Sequence, residues 1–320
     1  MDPIHEAYEK LWADLDKNNL FPKRRPLLAH YTSISTFESI LRNDELWFSN
    51  PLEMNDWEEL IFGVREGTKC FKQHNGIREA CGSDEIHSKL INYFDYYFRE
   101  FEEKHAYNTY VLCFSEHQSS DDDGVLSMWR GYGQNGNGIS VVIDTSILNN
   151  NEESPFIIAP VEYGSVEERI AWINIKLDEF SSFLKVTEQN DKNLYTLAYY
   201  WFQRLIVFSL FSKHDGFKEE NEWRVVYMSE RDDKKILAPM LSYQATDEGL
   251  QPKLKLKLNE IPESLGGKIE LVKLIHKIIL GPTTSSAIAA KTLQRMVEQV
   301  SKPSLAKKIV PSLIPFRHKK

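Results

Sequence analysis

The stretch PLLAHYTSISTFESILRNDELWFSNP, residues 26–51, decides the fold. Its first six residues, PLLAHY, are typical of a β-strand, and Ser35 with Glu38 three positions later predicts a capping box that begins a helix. The helix is predicted to end at Asn43, and the apolar run at 46–48 predicts a second strand. The chain therefore opens with a strand, a helix and a strand.

Hydrophobic periodicity continues this mixture along the chain. Residues 84–105 place apolar side chains at three- and four-residue spacing, which predicts an amphipathic helix. Two further helical runs, 166–186 and 194–212, predict a helical hairpin that packs on the core through Trp172, Phe180, Phe183, Tyr199, Phe202 and Ile206. Apolar or alternating runs predict strands at 110–115, 139–143, 222–228, 253–258 and 273–280, followed by a helix over about 286–300.

These elements predict an α+β fold with a mixed or antiparallel central sheet, split into two packed sheets, and with inserted helical segments. The insertions are expected at about 59–105 and 165–213, and the core motifs lie within 28–230. Because no linker rich in proline, glycine or serine divides the chain, residues 1–320 are expected to form a single domain.

Composition excludes several classes of protein. A chain of 320 residues with 42% hydrophobic residues can bury a large core, and a net charge of −8 argues against a surface that attracts phosphate backbones non-specifically. No apolar run reaches the length of a membrane span and the N-terminus lacks a signal-peptide hydrophobic region, so we expect a cytoplasmic protein without a membrane partner. The three cysteines form no CxxC pair, which predicts neither disulfides nor a metal site.

Two motifs lack the neighbouring residues that their usual function requires. Residues 131–136, GYGQNG, spell GxGxxG, but a predicted strand follows the glycines instead of preceding them, so a turn is the better interpretation. The acidic run at 121–124 lacks the ligands that a calcium loop needs at its first and last positions. The cluster TTSS at 283–286 is typical of a helix N-cap, with phosphate binding as the alternative.

Four clusters place polar or ionisable residues beside aromatic residues at predicted strand edges. They are His30-Tyr31-Thr32, then Trp47-Phe48-Ser49 with Asn55-Asp56, then Met128-Trp129 with Tyr132, and finally the run from Glu220 to Arg224. One such cluster is typical of a capped strand, a satisfied core histidine or a pair of charges on one strand face. Four of them predict one shared cleft.

The motifs HYTS, LWFSNPxxMNDWEE, CFSE, MWRGYG and ExEWRV occur in that order. In this order they resemble the bacterial family known as domain of unknown function 2971, over roughly residues 28–230. The opening HYT, the short helix, LWFS and the late ExE are in turn similar to the ADP-ribosyltransferase fold.

That second resemblance implies NAD as the substrate, with no metal. It implies that His30 holds NAD, that Tyr132 stacks on nicotinamide, and that Glu222 is the catalytic carboxylate, with Glu220 completing the ExE pair. A carboxylate suits the reaction because cleavage of the glycosidic bond creates an oxocarbenium-like centre.

The rest of the predicted site holds the cofactor: Tyr31, Thr32, Ser49, Asn55, Asp56, Trp129 and Arg224. The first strand carries histidine where arginine usually accompanies ExE, and no STS triplet occurs, so the resemblance does not extend to arginine as the acceptor. The acceptor stays open between a protein and a nucleic acid. The resemblance implies an NAD-dependent ADP-ribosyltransferase or NAD glycohydrolase in a bacterial toxin or phage-defence setting. The alternative is a non-catalytic sensor that binds a nucleotide or a peptide in the same cleft.

Overall fold

The computed structural model describes residues 3–15, 21–54, 57–149, 154–246 and 249–316. The chain divides into two compact units, each assembled from three segments. The first unit contains Met1–Leu20, Asn50–Thr109 and Val161–Lys218, and the second contains Phe21–Ser49, Tyr110–Pro160 and Glu219–Lys320. Both predicted helical insertions lie in the first unit, whereas the strand motifs belong to the second.

Helices and strands alternate irregularly along the described residues. The helices are α1 Pro3–Trp12, α2 Ile34–Asn43, α3 Trp57–Gln73, α4 Asn75–Cys81, α5 Asp84–Glu100, α6 Leu126–Gly131, α7 Val166–Val186, α8 Asp191–Leu210, α9 Leu271–Leu274 and α10 Ala287–Gln299. The strands are β1 Leu27–Thr32, β2 Glu45–Ser49, β3 Thr109–His117, β4 Ile139–Asp144, β5 Phe156–Pro160, β6 Glu162–Gly164, β7 Ser212–His214, β8 Glu222–Met228, β9 Leu241–Thr246, β10 Gly249–Lys257, β11 Ile275–Leu280 and β12 Ile309–Pro311. Among the described helices, none has the length and apolar character needed to cross a membrane.

The first unit is helical, with β6 and β7 as a short parallel pair. Helix α8 packs against α3 and α5, and α7 packs against α3 and α4. Of the six side chains predicted to pack on the core, Phe180, Phe202 and Ile206 are buried, while the other three are partly buried. The predicted burial of this segment is therefore confirmed, because none of the six is exposed.

The second unit is built on one large sheet with the strand order β12-β11-β4-β1-β3-β2-β10-β9, and β8 joins β3 to β5. The pair β11–β12 is parallel, whereas β4 pairs antiparallel with β1 and β11, and β10 pairs antiparallel with β2 and β9. The predicted α+β class is confirmed, and the sheet is mixed and mostly antiparallel. The predicted split into two packed sheets is wrong for the second unit, because its described strands join one ten-stranded sheet in which β8 pairs with both β3 and β5.

The opening unit of strand, helix and strand forms as predicted, but its helix begins at a different cap. Ser33, not Ser35, is the N-cap, and its Oγ accepts a hydrogen bond from the backbone N–H of Thr36 at 2.9 Å. The cause is local: Ser33 is still in extended backbone at the end of β1, so its side chain reaches the first free amides. The helix ends at Asp44, which adopts the left-handed conformation with φ of 54°.

Candidate functional site

A cavity of about 420 Å³ opens in the second unit. Its volume lies in the range of small-molecule sites, roughly 300–1,000 Å³. Five predicted site residues line it, namely His30, Tyr31, Thr32, Ser49 and Tyr132. Six polar or aromatic residues outside the predicted site also line it, namely Ser33, Thr36, Trp47, Gln134, Gln244 and Lys253.

The cavity begins where β1 separates from β3. Strand β1 pairs with β4 along its whole length but with β3 only over Leu27–Ala29. At the next residue, the His30 ring takes the place of the backbone partner, and its Nδ1 lies 2.9 Å from the carbonyl oxygen of Cys113. The side chain of His30 thus satisfies a strand carbonyl at the point where the ladder opens.

This contact determines the chemistry of the His30 ring. Burial lowers the pKa of His30 below its ordinary value, and the hydrogen bond to Cys113 offsets only part of that effect. The ring is therefore neutral at neutral pH. Because a carbonyl can only accept, Nδ1 carries the hydrogen and Nε2 is left as an acceptor.

Tyr31 contributes to the cavity wall, but its ring belongs to a smaller core with Trp129. The two rings meet edge to face at 4.8 Å, and the Tyr31 hydroxyl accepts from the Val125 N–H at 2.9 Å. Burial raises the pKa of Tyr31 to about 12, so its hydroxyl stays protonated. Gly124 is required here, because a Cβ at this position would lie 2.7 Å from the Tyr31 hydroxyl oxygen.

The third predicted cluster lies on a helix and not on a strand edge. Met128 and Trp129 belong to α6, and Tyr132 is its C-cap residue. Trp129 is fully buried and donates from Nε1 to the Asp123 carbonyl at 2.8 Å, so it supports the cavity wall from behind without lining it. The strand-edge interpretation was wrong. The sequence around Met128 does not alternate as a strand does, and the short helix has no side-chain N-cap that would have indicated its start.

Two features of the cavity favour an anionic ligand. The first turn of α2 borders it through Ser33 and Thr36, and the amide end of a helix attracts negative charge. Lys253 enters from β10, where it is only 9% exposed, and its Nζ donates to Ser49 Oγ at 2.8 Å. No aspartate or glutamate is present among the described lining residues.

The lysines of β10 differ according to what lies opposite them on β2. Lys253 faces Ser49 in the cavity, whereas Lys255 faces Trp47 and places Nζ 4.6 Å from the centre of its ring. Lys257, farther along the strand, pairs with Glu260 at 3.2 Å. The Trp47 ring is also held by a bond from its Nε1 to Glu45 at 2.9 Å, so it forms a fixed aromatic wall.

Tyr132 connects the cavity to the predicted carboxylate pair. Its ring is 38% exposed, and its hydroxyl donates to Glu220 Oε1 at 3.0 Å. Ser115 Oγ holds the same segment by donating to the Glu220 carbonyl at 2.6 Å. Glu220 is therefore the predicted carboxylate that contacts a residue of the cavity.

Glu222 and Arg224 form a buried ion pair on β8. Arg224 donates from Nε to Oε1 of Glu222 at 2.8 Å and from Nη2 to Oε2 at 3.1 Å. The exposed fractions of the two residues are 4% and 5%, and neither lines the cavity. Trp223 points to the opposite face of β8, where it belongs to the larger core.

Asn55 and Asp56, also predicted for the site, lie outside the described residues. Within the described part of the chain, no group of three or more histidine, cysteine, aspartate or glutamate side chains could hold a metal ion. Lys253, Trp47 and Gln244 are the main additions to the predicted site. Only Trp47 had a sequence signal, since it stands in the LWFS motif.

Comparison with known proteins gives one match. The sequence model of a family described as "Protein of unknown function (DUF2971)" matches residues 128–225, which include Tyr132, Glu220, Glu222 and Arg224 but neither His30 nor Ser49. No curated protein and no solved structure matches the chain. The match supports the family predicted from the motifs, and over residues 128–225 the chain is similar to that family.

Proposed function

We propose that the cavity binds NAD and that the chain breaks the bond between nicotinamide and ribose. The observation that supports this proposal best is the composition of the cavity wall. One space of about 420 Å³ combines a helix N-terminus, Lys253, a fixed Trp47 ring and a neutral His30. The helix N-terminus and Lys253 suit a diphosphate, the Trp47 ring suits an aromatic base, and the neutral His30 suits ribose hydroxyls.

His30 and the phosphate-facing groups orient the ligand in this proposal. Nε2 of His30 accepts a hydrogen bond from a ribose hydroxyl, since Nδ1 is held by the Cys113 carbonyl. Lys253 and the first turn of α2 hold the diphosphate, and Tyr132 lies against the nicotinamide end, where its hydroxyl reaches Glu220. Fixed positions for both ends of the ligand lower the barrier by orientation alone.

The carboxylates stabilise the positive charge that develops on the ribose. As the C–N bond breaks, nicotinamide leaves with the bonding electron pair. The nucleophile, either water or an acceptor group, then forms a bond to the same carbon and loses a proton. The Glu220 side chain accepts a hydrogen bond from Tyr132, which lines the cavity, so we assign Glu220 the role nearest to the ribose.

A second candidate is a non-catalytic sensor that binds a nucleotide in the same cavity. One observation favours it: Glu222, the carboxylate that the resemblance makes catalytic, is buried and engaged by both Nε and Nη2 of Arg224. A sensor needs the aromatic and cationic wall but no carboxylate.

Calorimetric titration combined with a nicotinamide-release assay separates these functions. Lys253→Met should weaken NAD binding about tenfold or more, the scale of one charge-assisted contact, while binding of nicotinamide riboside, which has no phosphate, stays unchanged. Lys257→Met, on the same strand but paired with Glu260, is the matched control and should bind NAD normally. Release of nicotinamide by the wild type supports the enzyme, and tight binding without release supports the sensor. Absence of NAD binding by the wild type would overturn the enzyme and would exclude NAD as the ligand of a sensor.

A further inference from the structure

We propose that Ser115 and Glu116 of β3 are positioning residues for the Glu220 carboxylate. They hold the chain at Glu220 so that this carboxylate meets Tyr132 at the cavity wall. Their role rests on the proposed function, because that function places Glu220 nearest to the ribose. Both residues belong to the CFSE motif at 113–116, none of whose residues is among the described residues that line the cavity.

The backbone turns sharply between Glu220 and Glu222. Strand β8 begins at Glu222, and Asn221 before it has a φ of 42°, in the left-handed region that asparagine tolerates better than most residues. The two carboxylates therefore do not share one face, as residues two apart in a strand would. Glu220 contacts Tyr132, whereas Glu222 contacts Arg224. Because Glu220 precedes the strand, contacts outside the β8 ladder must fix its direction.

Strand β3 supplies such contacts from its main chain and from one buried hydroxyl. Ser115 Oγ donates to the carbonyl oxygen of Glu220 at 2.6 Å. The N–H of Glu116 donates to the carbonyl oxygen of Asn221 at 2.9 Å. Ser115 is only 2% exposed, so its hydrogen bond is shielded from competing water. Two successive carbonyl groups of the turn are thus anchored to two successive residues of β3.

The Glu116 side chain anchors the same segment from the other face of the sheet. Its Oε2 accepts a hydrogen bond from Nε1 of Trp223 at 3.0 Å, and its Oε1 accepts one from Nη2 of Arg24. The guanidinium of Arg24 also lies 5.7 Å from the centre of the Trp223 ring. Since Ser115 and Glu116 are neighbours in a strand, their side chains point to opposite faces. The segment around Glu220 is therefore held from both faces.

The two anchors differ in what their loss would change. Without the Ser115 hydroxyl, the Glu220 carbonyl loses this donor, while the β5–β8 ladder and the bond from Trp223 to Glu116 still hold the strand. The strand then stays in place and the residue before it moves. A misplacement of about 1 Å can lower a rate about 100-fold, so a small shift of the Glu220 backbone suffices to affect turnover.

Fluorine NMR of 3-fluorotyrosine at position 132 tests the contact without NAD. The resonance of this ring depends on the charge of its hydrogen-bond partner, and Glu220→Gln supplies the reference shift. We expect Ser115→Ala to move the resonance toward that reference, and Ser115→Thr, which keeps a hydroxyl, to leave it at the wild-type position. Ser209→Ala is the matched control, because it removes a buried serine hydroxyl that donates to a carbonyl within α8 at 2.8 Å.

Nicotinamide release by the same proteins measures the consequence for turnover. We expect Ser115→Ala to lower kcat about 10- to 100-fold with the affinity for NAD unchanged, because the hydroxyl acts through Glu220 and does not line the cavity. Ser115→Thr should restore kcat, and Ser209→Ala should match the wild type. A thermal melt checks that each variant folds. Ser115→Cys, whose thiol is a weak donor of similar volume, gives the same comparison if Ser115→Ala does not fold.

The two measurements separate the positioning role from the proposed function. The role of Ser115 is overturned by a resonance that is the same in Ser115→Ala and the wild type, or by an equal change in Ser209→Ala. A kcat that does not fall although the resonance moves overturns it as well. A wild type that releases no nicotinamide, but whose resonance responds to Ser115→Ala, would keep the positioning of Glu220 and reject the proposed function.

Discussion

The cavity on β1, β2 and β10 and the ion pair on β8 accommodate charged side chains in different ways. Both contain charged side chains within a mostly buried sheet. In the cavity, Lys253 donates to a serine hydroxyl and forms part of the lining. On β8, both carboxylate oxygens of Glu222 accept hydrogen bonds from Arg224. The first arrangement places a charged side chain against a cavity, whereas the second joins two charged side chains of the same strand.

This difference shows why polar residues at strand edges should not be treated as one set. A buried ion pair can be needed for folding without contacting substrate. A polar residue that lines a cavity is a candidate for ligand binding. The following predictions separate the two regions by their effects on stability and on turnover.

The largest expected effect is on the stability of β8. Arg224→Met should lower the free energy of unfolding by about 3–5 kcal/mol, because it leaves the Glu222 carboxylate buried without its guanidinium partner. Urea denaturation measures the change. The double variant Glu222→Met/Arg224→Met should recover most of the loss, since it removes both charges. A loss below about 1 kcal/mol for Arg224→Met would show that the buried Glu222 carboxylate does not depend on Arg224 for its stabilisation.

Glu220→Gln should affect turnover and not folding. We expect nicotinamide release to fall about 100- to 1,000-fold, since a positioned charge near the ribose is removed while the bond from Tyr132 can be kept by the amide oxygen. Glu219→Gln, an exposed neighbour in the same segment, is the control and should keep full activity. If Glu220→Gln and the wild type release nicotinamide at equal rates, the assignment of Glu220 is wrong.

The smallest expected effect concerns the pH dependence of stability. The pKa of His30 is lowered in the folded protein, so below about pH 6.5 the unfolded chain binds a proton that the folded chain does not. Stability contributed by neutral His30 is therefore present above that pH and is lost as the pH falls toward the folded pKa. His30→Gln should remove this part of the dependence, which has a slope of at most about 1.4 kcal/mol per pH unit.

Urea denaturation at pH 7.5 and 5.5 measures this difference. The pKa values of His87 and His117 are lowered in the same direction, but both residues are present in the two proteins, so their contributions cancel in the comparison. Equal pH dependence in the wild type and in His30→Gln would mean that the ring is not held neutral by burial.

Local signals predicted the elements that form through neighbouring residues. The helix predicted at 166–186 has the observed bounds of α7, because Ser165 and Glu168 form a capping box and the helix is long enough for its period to be clear. The strands β1, β4 and β8 also followed from apolar runs. Helix α6 was missed because its six residues are too few to show a helical period, and β9 was missed because its sequence, LSYQAT, contains no apolar run.

The site was predicted only where a motif contains its residue. His30, Ser49 and Tyr132 stand in recognisable motifs, and they line one cavity. Lys253 could not be predicted, because the alternation KLKLKL marks three equivalent lysines and only the register with β2 decides which one meets Ser49. That register joins residues 204 positions apart, so no local pattern contains it.

A crystal structure with a non-hydrolysable NAD analogue tests the central claim most directly. We expect the analogue to occupy the cavity, with its diphosphate against Lys253 Nζ and the first turn of α2, and with a ribose hydroxyl donating to Nε2 of His30. An analogue bound elsewhere on the molecule, or one that enters the cavity with its diphosphate directed away from Lys253, would contradict it.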